Sequence, residues 1–331
     1  MKTTTMKWLL RREYWEHKGA FFWAPLIVAL VMLAFIGATA GYALATHGLG
    51  NSLSVNGHHM SQAQMLGAMP LEVRVKFATV VANVWLAACA PLFGVLPVVV
   101  FFYCLAALYD DRRDRSILFW KSLPVSDRQT VLSKAVTAVC VAPLITIAIG
   151  STVSLAMVLI GLTLASFNGL HLFALVLGNP DFYLAPLRLV GLLPVYVLWA
   201  IPTVGWLLMV SAWARSKVFL WAVGVPILMV ALARWANVIL GDYMNGGFDV
   251  KWFVTNVIVR GLAGLVPGIW LPLSNVSPAT LVSNVKHTID AGGVFTQSWM
   301  TLLQPDVWVG AAIGGAMMFV AVRLRHWRDE G

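Results

Sequence analysis

Asp110-Asp111-Arg112-Arg113-Asp114-Arg115-Ser116, running on through Phe119-Trp120-Lys121-Ser122-Leu123-Pro124-Val125-Ser126 to Lys134, is a dense charged island between two of the longest apolar runs of the chain. The flanking runs, near 80–108 and 131–165, are each longer than the roughly 20 helical residues that cross a hydrocarbon core of about 30 Å. The flanks therefore belong in lipid, and the island in water or against another protein. Working outward, further apolar runs lie near 22–46, 187–212, 217–240 and 306–323. They are continuous rather than alternating, so they read as helices, the only open-ended structures that satisfy their own backbone in lipid. The chain is 60% hydrophobic and 11% charged, against roughly 25% charged in soluble domains. The expected fold is an all-α polytopic membrane protein with six transmembrane helices, spread over a single domain from 21 to 331.

The distribution of charge sets the expected orientation. Of 23 basic residues, sixteen fall on one side of this six-span layout. Lys2, Lys7, Arg11, Arg12 and Lys18 precede the first span, and Arg112, Arg113, Arg115, Lys121, Arg128 and Lys134 surround the island. Arg215 and Lys217 fill the short loop after the fourth span, and Arg323, Arg325 and Arg328 follow the sixth. The positive-inside rule makes that side cytoplasmic, with both termini there. The net charge of +9 thus reports topology, not nucleic acid.

Residues 1–20 read as an amphipathic helix at the inner interface. Met6, Leu10 and Tyr14 share one stripe with Leu9 beside it, while Lys7, Arg11, Arg12 and Glu16 take other faces. Trp8 and Trp15 stand one heptad apart, and Trp23 marks the start of lipid. Ala38-Thr39-Ala40 after an apolar run has the form of a signal cleavage site, but Glu13, Glu16 and the tryptophans are wrong for a leader. The outer loops are expected at 47–79, at 166–186 with an Asn179-Pro180-Asp181 turn, and at 241–305. In the last, Gly246-Gly247 and Gly292-Gly293 break an apolar piece from Trp252 to Leu273 that also contains Arg260, Pro267 and Pro272. A seventh span there would put the Arg323-Arg325-Arg328 tail outside, so an interfacial or re-entrant element is expected instead.

Pro91, Pro97, Pro143, Pro194, Pro202 and Pro226 fall within spans, where proline removes a hydrogen bond and bends the helix. Gly37-x-x-x-Gly41 and Gly310-x-x-x-Gly314 allow close helix approach, within one subunit or across a dimer. Cys89, Cys104 and Cys140 all lie in spans and read as small buried apolar residues.

Catalytic patterns do not occur: no His-Glu-x-x-His, Gly-x-Ser-x-Gly, Cys-x-x-Cys or phosphate-cradling Gly-x-x-x-x-Gly-Lys-Ser/Thr. The chain is expected to be neither an enzyme nor a metal protein; the adjacent His58-His59 has few carboxylates nearby. Span centres are almost free of ionisable residues, unlike an ion-coupled carrier, so energy for transport would come from elsewhere. Asn83, Ser151, Thr152, Ser154 and Thr203, with Thr137, Thr146 and Ser211, are mild candidates for lining a cavity; each also suits an ordinary bond between helices.

The island remains the main functional signal. Phe119-Trp120 with Leu123 form an apolar patch ended by Pro124, and Ser126 is placed to cap a helix running through Gln129 and Lys134 into the third span. At these residues the chain resembles the ABC-2 type permeases, the membrane subunits of one class of ATP-binding cassette transporters. That family commonly carries Glu-Arg-x-x-Gly-Thr, then Pro-Val-Ser and Gly-Lys, between spans two and three. Here Asp111-Arg112 stands in place of Glu-Arg, Ser116 in place of Thr, and Pro124-Val125-Ser126 and Lys134 match; Arg115 and Ser133 replace the two glycines.

The resemblance implies a cytoplasmic coupling helix in the loop 109–130 that meets a separate ATPase subunit through Asp111, Arg112, Arg115, Ser116, Phe119, Trp120, Leu123, Pro124, Ser126 and Lys134. Trp8, Arg11, Arg12 and Trp15 of the N-terminal helix would join that surface. It also implies a permease dimer, with itself or a related permease, in a bacterial inner membrane. The substrate would be an amphiphile such as a peptide, antibiotic or lipid, exported with ATP and Mg bound by the partner and no cofactor in this chain. The rival readings are a membrane enzyme or assembly factor acting on lipids or cell-wall precursors, with its chemistry in 241–305, and a passive or ion-coupled carrier.

Overall fold

A computed structural model describes residues 2–47, 52–55, 58–61, 67–113, 125–244, 249–282 and 290–327. Six helices in it are long and apolar enough to cross a membrane: Gly19–Tyr42, Leu71–Arg113, Asp127–Phe167, Pro180–Trp213, Val218–Ile239 and Pro305–Trp327. They are called here the first to sixth spans. The second has 43 residues and the third 41, about 60 Å each at 1.5 Å per residue, twice the depth of the hydrocarbon core. Both therefore extend well beyond lipid.

That extension corrects the expected outer loop 47–79. Its semi-apolar stretch is helical from Leu71, with Pro70 at the cap position, and runs directly into the second span. Glu72, Arg74 and Lys76 dilute its hydropathy, and only Ala78 and Ala82 of this helical start are buried. Those two alanines join Trp85, Leu162, Leu172, Val176 and Phe182 in a small outer core. A two-stranded antiparallel hairpin, Ser52–Val55 with His58–Ser61, precedes it and pairs Val55 with His58.

Prolines act through the turn ahead of them. A π-helical turn, Gly19–Trp23, comes just before Pro25, a 3-10 turn, Trp85–Cys89, just before Pro91, and a second π turn, Thr137–Val141, just before Pro143. A proline cannot donate to the carbonyl four residues back, so the preceding turn changes its hydrogen-bond spacing instead of breaking the helix.

The fourth span is the axis of the bundle; Val195, Trp199, Thr203, Gly205, Leu208 and Ser211 are among its many buried residues. The sixth span lies along it. Gly310 packs on Pro202, a Cβ on Gly314 would stand 2.6 Å from the carbonyl oxygen of Ile201, and one on Gly205 would collide with Gly314. The Gly310/Gly314 pair is therefore used inside the subunit. Gly37 and Gly41 of the first span face open space.

Residues 249–282 enter the bundle and turn back. Asp249 caps a helix that runs from Val250 through a π turn, Val254–Val259, to Ala263. Gly264 then abuts the Trp199 carbonyl and the Thr203 hydroxyl, about 9–15 Å into the helix that starts at Leu193. No side chain fits there. The chain reverses through Gly268 at φ +84°, a conformation open to glycine, and returns by way of Trp270–Leu273. Trp270 Nε1 donates to Ser298 Oγ at 2.8 Å, fastening the return to the helix Ala291–Met300.

Candidate partner-contact site

The centre of the island, 114–124, lies outside the described residues, and with it Arg115, Ser116, Phe119, Trp120, Leu123 and Pro124. Its two roots are described, and both are tightly held. On the second-span side, the backbone N–H groups of Leu108 and Tyr109 donate to Ser211 Oγ at 3.1 and 3.0 Å, and Ser211 Oγ donates to Leu105 O at 2.7 Å. Arg112 Nη2 donates to Ser211 O at 2.5 Å and Ala214 O at 3.0 Å. These are carbonyls at the C-terminal end of the fourth span, where acceptors are unsatisfied and the helix dipole is negative. A guanidinium answers both needs.

On the third-span side, Ser126 caps the helix as its sequence position predicts. Its hydroxyl accepts from Gln129 N, and the Gln129 side chain accepts from Ser126 N, both at 3.3 Å. This is a reciprocal capping box. Two turns later Lys134 is only 1% exposed, and Glu13 of the N-terminal helix, Lys2–Glu16, is 0% exposed.

These two charges belong to a chain of ion pairs. Lys134 Nζ lies 3.2 Å from Glu13 Oε1 and 3.5 Å from Asp111 Oδ2. Tyr103 OH donates to Glu13 Oε2 at 2.9 Å. Arg325, near the end of the sixth span, reaches Asp111 Oδ2 and Asp127 Oδ1, each at 3.0 Å. Arg12 stands 3.8 Å from Glu13, and His326 3.8 Å from Asp127. The carboxylates Glu13, Asp111 and Asp127 are thus matched by Arg12, Lys134 and Arg325. Such matching is required, because an unpaired buried charge costs several kcal/mol.

One network therefore ties the N-terminal helix to the end of the second span, the start of the third and the end of the sixth. Both terminal segments sit at one end of the bundle, beside the island. Asp111, Arg112 and Lys134 are turned into this end rather than displayed on it. Exposed there are Trp8, Arg11, Trp15, Arg113, Ser126 and Arg128, with Arg11 over the Trp8 ring at 5.5 Å. On the N-terminal helix the fully buried face is Leu9 and Glu13, while Met6, Leu10 and Tyr14 are half-buried. Sequence reasoning missed Glu13, Tyr103, Asp127 and Arg325 as a set. Glu13 follows Leu9 by four residues, which was the available signal; nothing in the sequence pairs it with Lys134. Glu13, Glu16 and His17 also come together, but the Glu13 carboxylate is already engaged by Lys134 and Tyr103.

The five candidate cavity residues are dispersed. Asn83 Nδ2 donates to Thr79 O and Thr152 Oγ1 to Ala148 O, each within its own helix. Ser154 and Thr203 are fully buried, and the Ser151 hydroxyl is enclosed. Two apolar cavities lie elsewhere. One of about 450 Å³ is walled by Phe93, Ile147, Leu192, Tyr196, Pro267 and Trp270. One of about 240 Å³ lies between the fourth, fifth and sixth spans and the helix Val250–Ala263.

The fold and this site define a helical protein with six apolar helices of membrane-crossing length. No family model, curated protein or solved structure matches the chain.

Proposed function

We propose that the chain is the permease subunit of an ATP-binding cassette exporter, moving an amphiphilic substrate outward with ATP hydrolysed by a separate cytoplasmic ATPase, in a permease dimer. The observation that carries this reading is the anchoring of the island. Its two roots, through Arg112 on one side and Lys134 on the other, are fastened to the N-terminal helix and to the ends of the fourth and sixth spans. A push on residues 114–124 would therefore move four spans together. A loop that only fixes topology needs no such clamp. The basic end that gathers both termini would be cytoplasmic by the positive-inside rule, which puts the island within reach of an ATPase. The resemblance at Asp111-Arg112, Ser116, Pro124-Val125-Ser126 and Lys134 names the class of partner.

The geometry also divides the implied contact residues. Asp111, Arg112 and Lys134 hold the roots in place, whereas Trp8, Arg11, Trp15 and Ser126 with the 114–124 segment would meet the partner. The test is co-purification of the membrane-inserted chain with the cassette ATPase encoded nearest to it. Phe119→Ala with Trp120→Ala is expected to abolish co-purification while leaving the protein folded in the membrane. Arg112 is left intact because its loss would disturb the fourth span. Undiminished ATPase binding and export in that double variant would overturn the assignment.

A further inference from the structure

The smaller cavity, of about 240 Å³, has apolar walls and one charged group. Pro202 and Trp206 face Pro226 and Met229 across it, and Gly310, Ile313 and Met317 of the sixth span form its floor. From Gly310 to Met317 the floor runs about 10 Å along the helix. Of the residues lining the cavity, Met229, Val257 and Ile313 are each nearly half exposed, so it reaches the apolar outer surface of the bundle. Arg260, on the remaining wall, is only 9% exposed.

Arg260 is incompletely satisfied. Its guanidinium lies 4.4 Å from the centre of the Trp199 ring, and Nη1 is 3.4 Å from Asp306 Oδ2, a carboxylate whose side chain is 70% exposed. Arg260 Nη2 is enclosed and has no hydrogen-bond partner among the described residues. The same holds for two neighbours at this junction, Trp199 Nε1 and Thr203 Oγ1. Arginine and the indole N–H can only donate, and a buried donor left without an acceptor is destabilising. What is missing at this junction is an acceptor.

From this we infer that the crevice binds a single-chain anionic amphiphile. Its carboxylate or phosphate would accept from Arg260, and its alkyl chain would lie along Gly310, Ile313 and Met317. The acid group would sit near Asp306, at the end of the sixth span away from the termini, and the chain would point toward the bundle centre. The exposed lining residues of the crevice are apolar, so the ligand would arrive from the bilayer. This binding site goes beyond the exporter reading and does not depend on it, since occupancy needs neither an ATPase nor nucleotide.

The experiment uses the full chain alone in phosphatidylcholine nanodiscs, photolabelled with a diazirine derivative of palmitic acid and mapped by peptide mass spectrometry. Saturable labelling is expected within 256–262 or 310–317, displaced by palmitate and not by hexadecanol. Arg260→Gln should reduce it at least tenfold and Arg260→Lys less, whereas Asp306→Asn, which removes the competing carboxylate, should increase it. Equal displacement by the alcohol, or labelling unchanged in Arg260→Gln, would overturn the proposal. If Arg260→Gln does not fold, the alcohol comparison and the Asp306→Asn variant decide alone: equal displacement or no increase counts against the site. Competition by lysophosphatidylglycerol, a single-chain phospholipid, as well as palmitate would identify a membrane lipid as the source, and competition by palmitate alone a free amphiphile; either supports the site.

Discussion

The two ends of the bundle handle buried charge in opposite ways. At the end that holds the termini, Glu13, Asp111 and Asp127 are answered by Lys134, Arg325 and Arg12 within the chain. At the other end Arg260 has an exposed carboxylate on one nitrogen and, among the described residues, no hydrogen-bond partner on another. A charge-matched network holds elements in register and has little left to offer a ligand. A half-satisfied cation in an apolar crevice has its chemistry still to use. The first end is closed by its own ion pairs, and at the second a buried cation keeps a donor unused.

The largest effect lies between the two ends, on the shared axis that keeps them aligned. Gly314→Leu would drive a side chain into the Ile201 backbone and part the fourth and sixth spans. Loss of the monodisperse peak in size-exclusion chromatography is expected, while Gly37→Leu and Gly41→Leu, which meet open space, should leave it unchanged. Next comes the closed network. Glu13→Gln would leave Lys134 buried with a single carboxylate neighbour, a loss of about 3–5 kcal/mol for a broken buried pair. Thermal unfolding in detergent should show it, and the double variant Glu13→Gln with Lys134→Met should regain most of the loss. No recovery would mean that the pair does more than neutralise itself.

Arg260→Gln is expected to cost less, on the order of 1 kcal/mol, because it removes one cation–aromatic contact and leaves Asp306 in solvent. A loss as large as that of Glu13→Gln would erase the contrast between the two ends. The smallest effect is expected at Asp181–Arg188, 2.8 Å apart with both side chains partly exposed. Asp181→Asn should change stability by less than about 1 kcal/mol.

Much of the scaffold could be read from local pattern. Six apolar runs announced six spans and Ser126 with Gln129 announced a capped helix start, whereas Asn179, expected in a loop turn, caps the helix Pro180–Gly191 by accepting from the Asp181 N–H. Where charge and apolar residues mix, local pattern failed. Leu71–Val84 is helical despite Glu72, Arg74 and Lys76, because only Ala78 and Ala82 need cover. The candidate site was half legible. The island stood out by charge density, but Glu13 looks no different in sequence from Glu16, which is exposed, and Arg325 read as part of a basic tail.

Local order along the chain determined which six segments are long and apolar enough to cross a membrane, an even number that returns the chain to the end where it began. Only the tertiary structure decided which charges are buried and with whom. Tyr103 and Glu13 are 90 residues apart in sequence, Lys134 and Glu13 121, and Arg325 and Asp111 214. Pairing over such separations follows from how helices pack, and packing rests on contacts such as that of Gly314 with Ile201, which hydropathy does not encode.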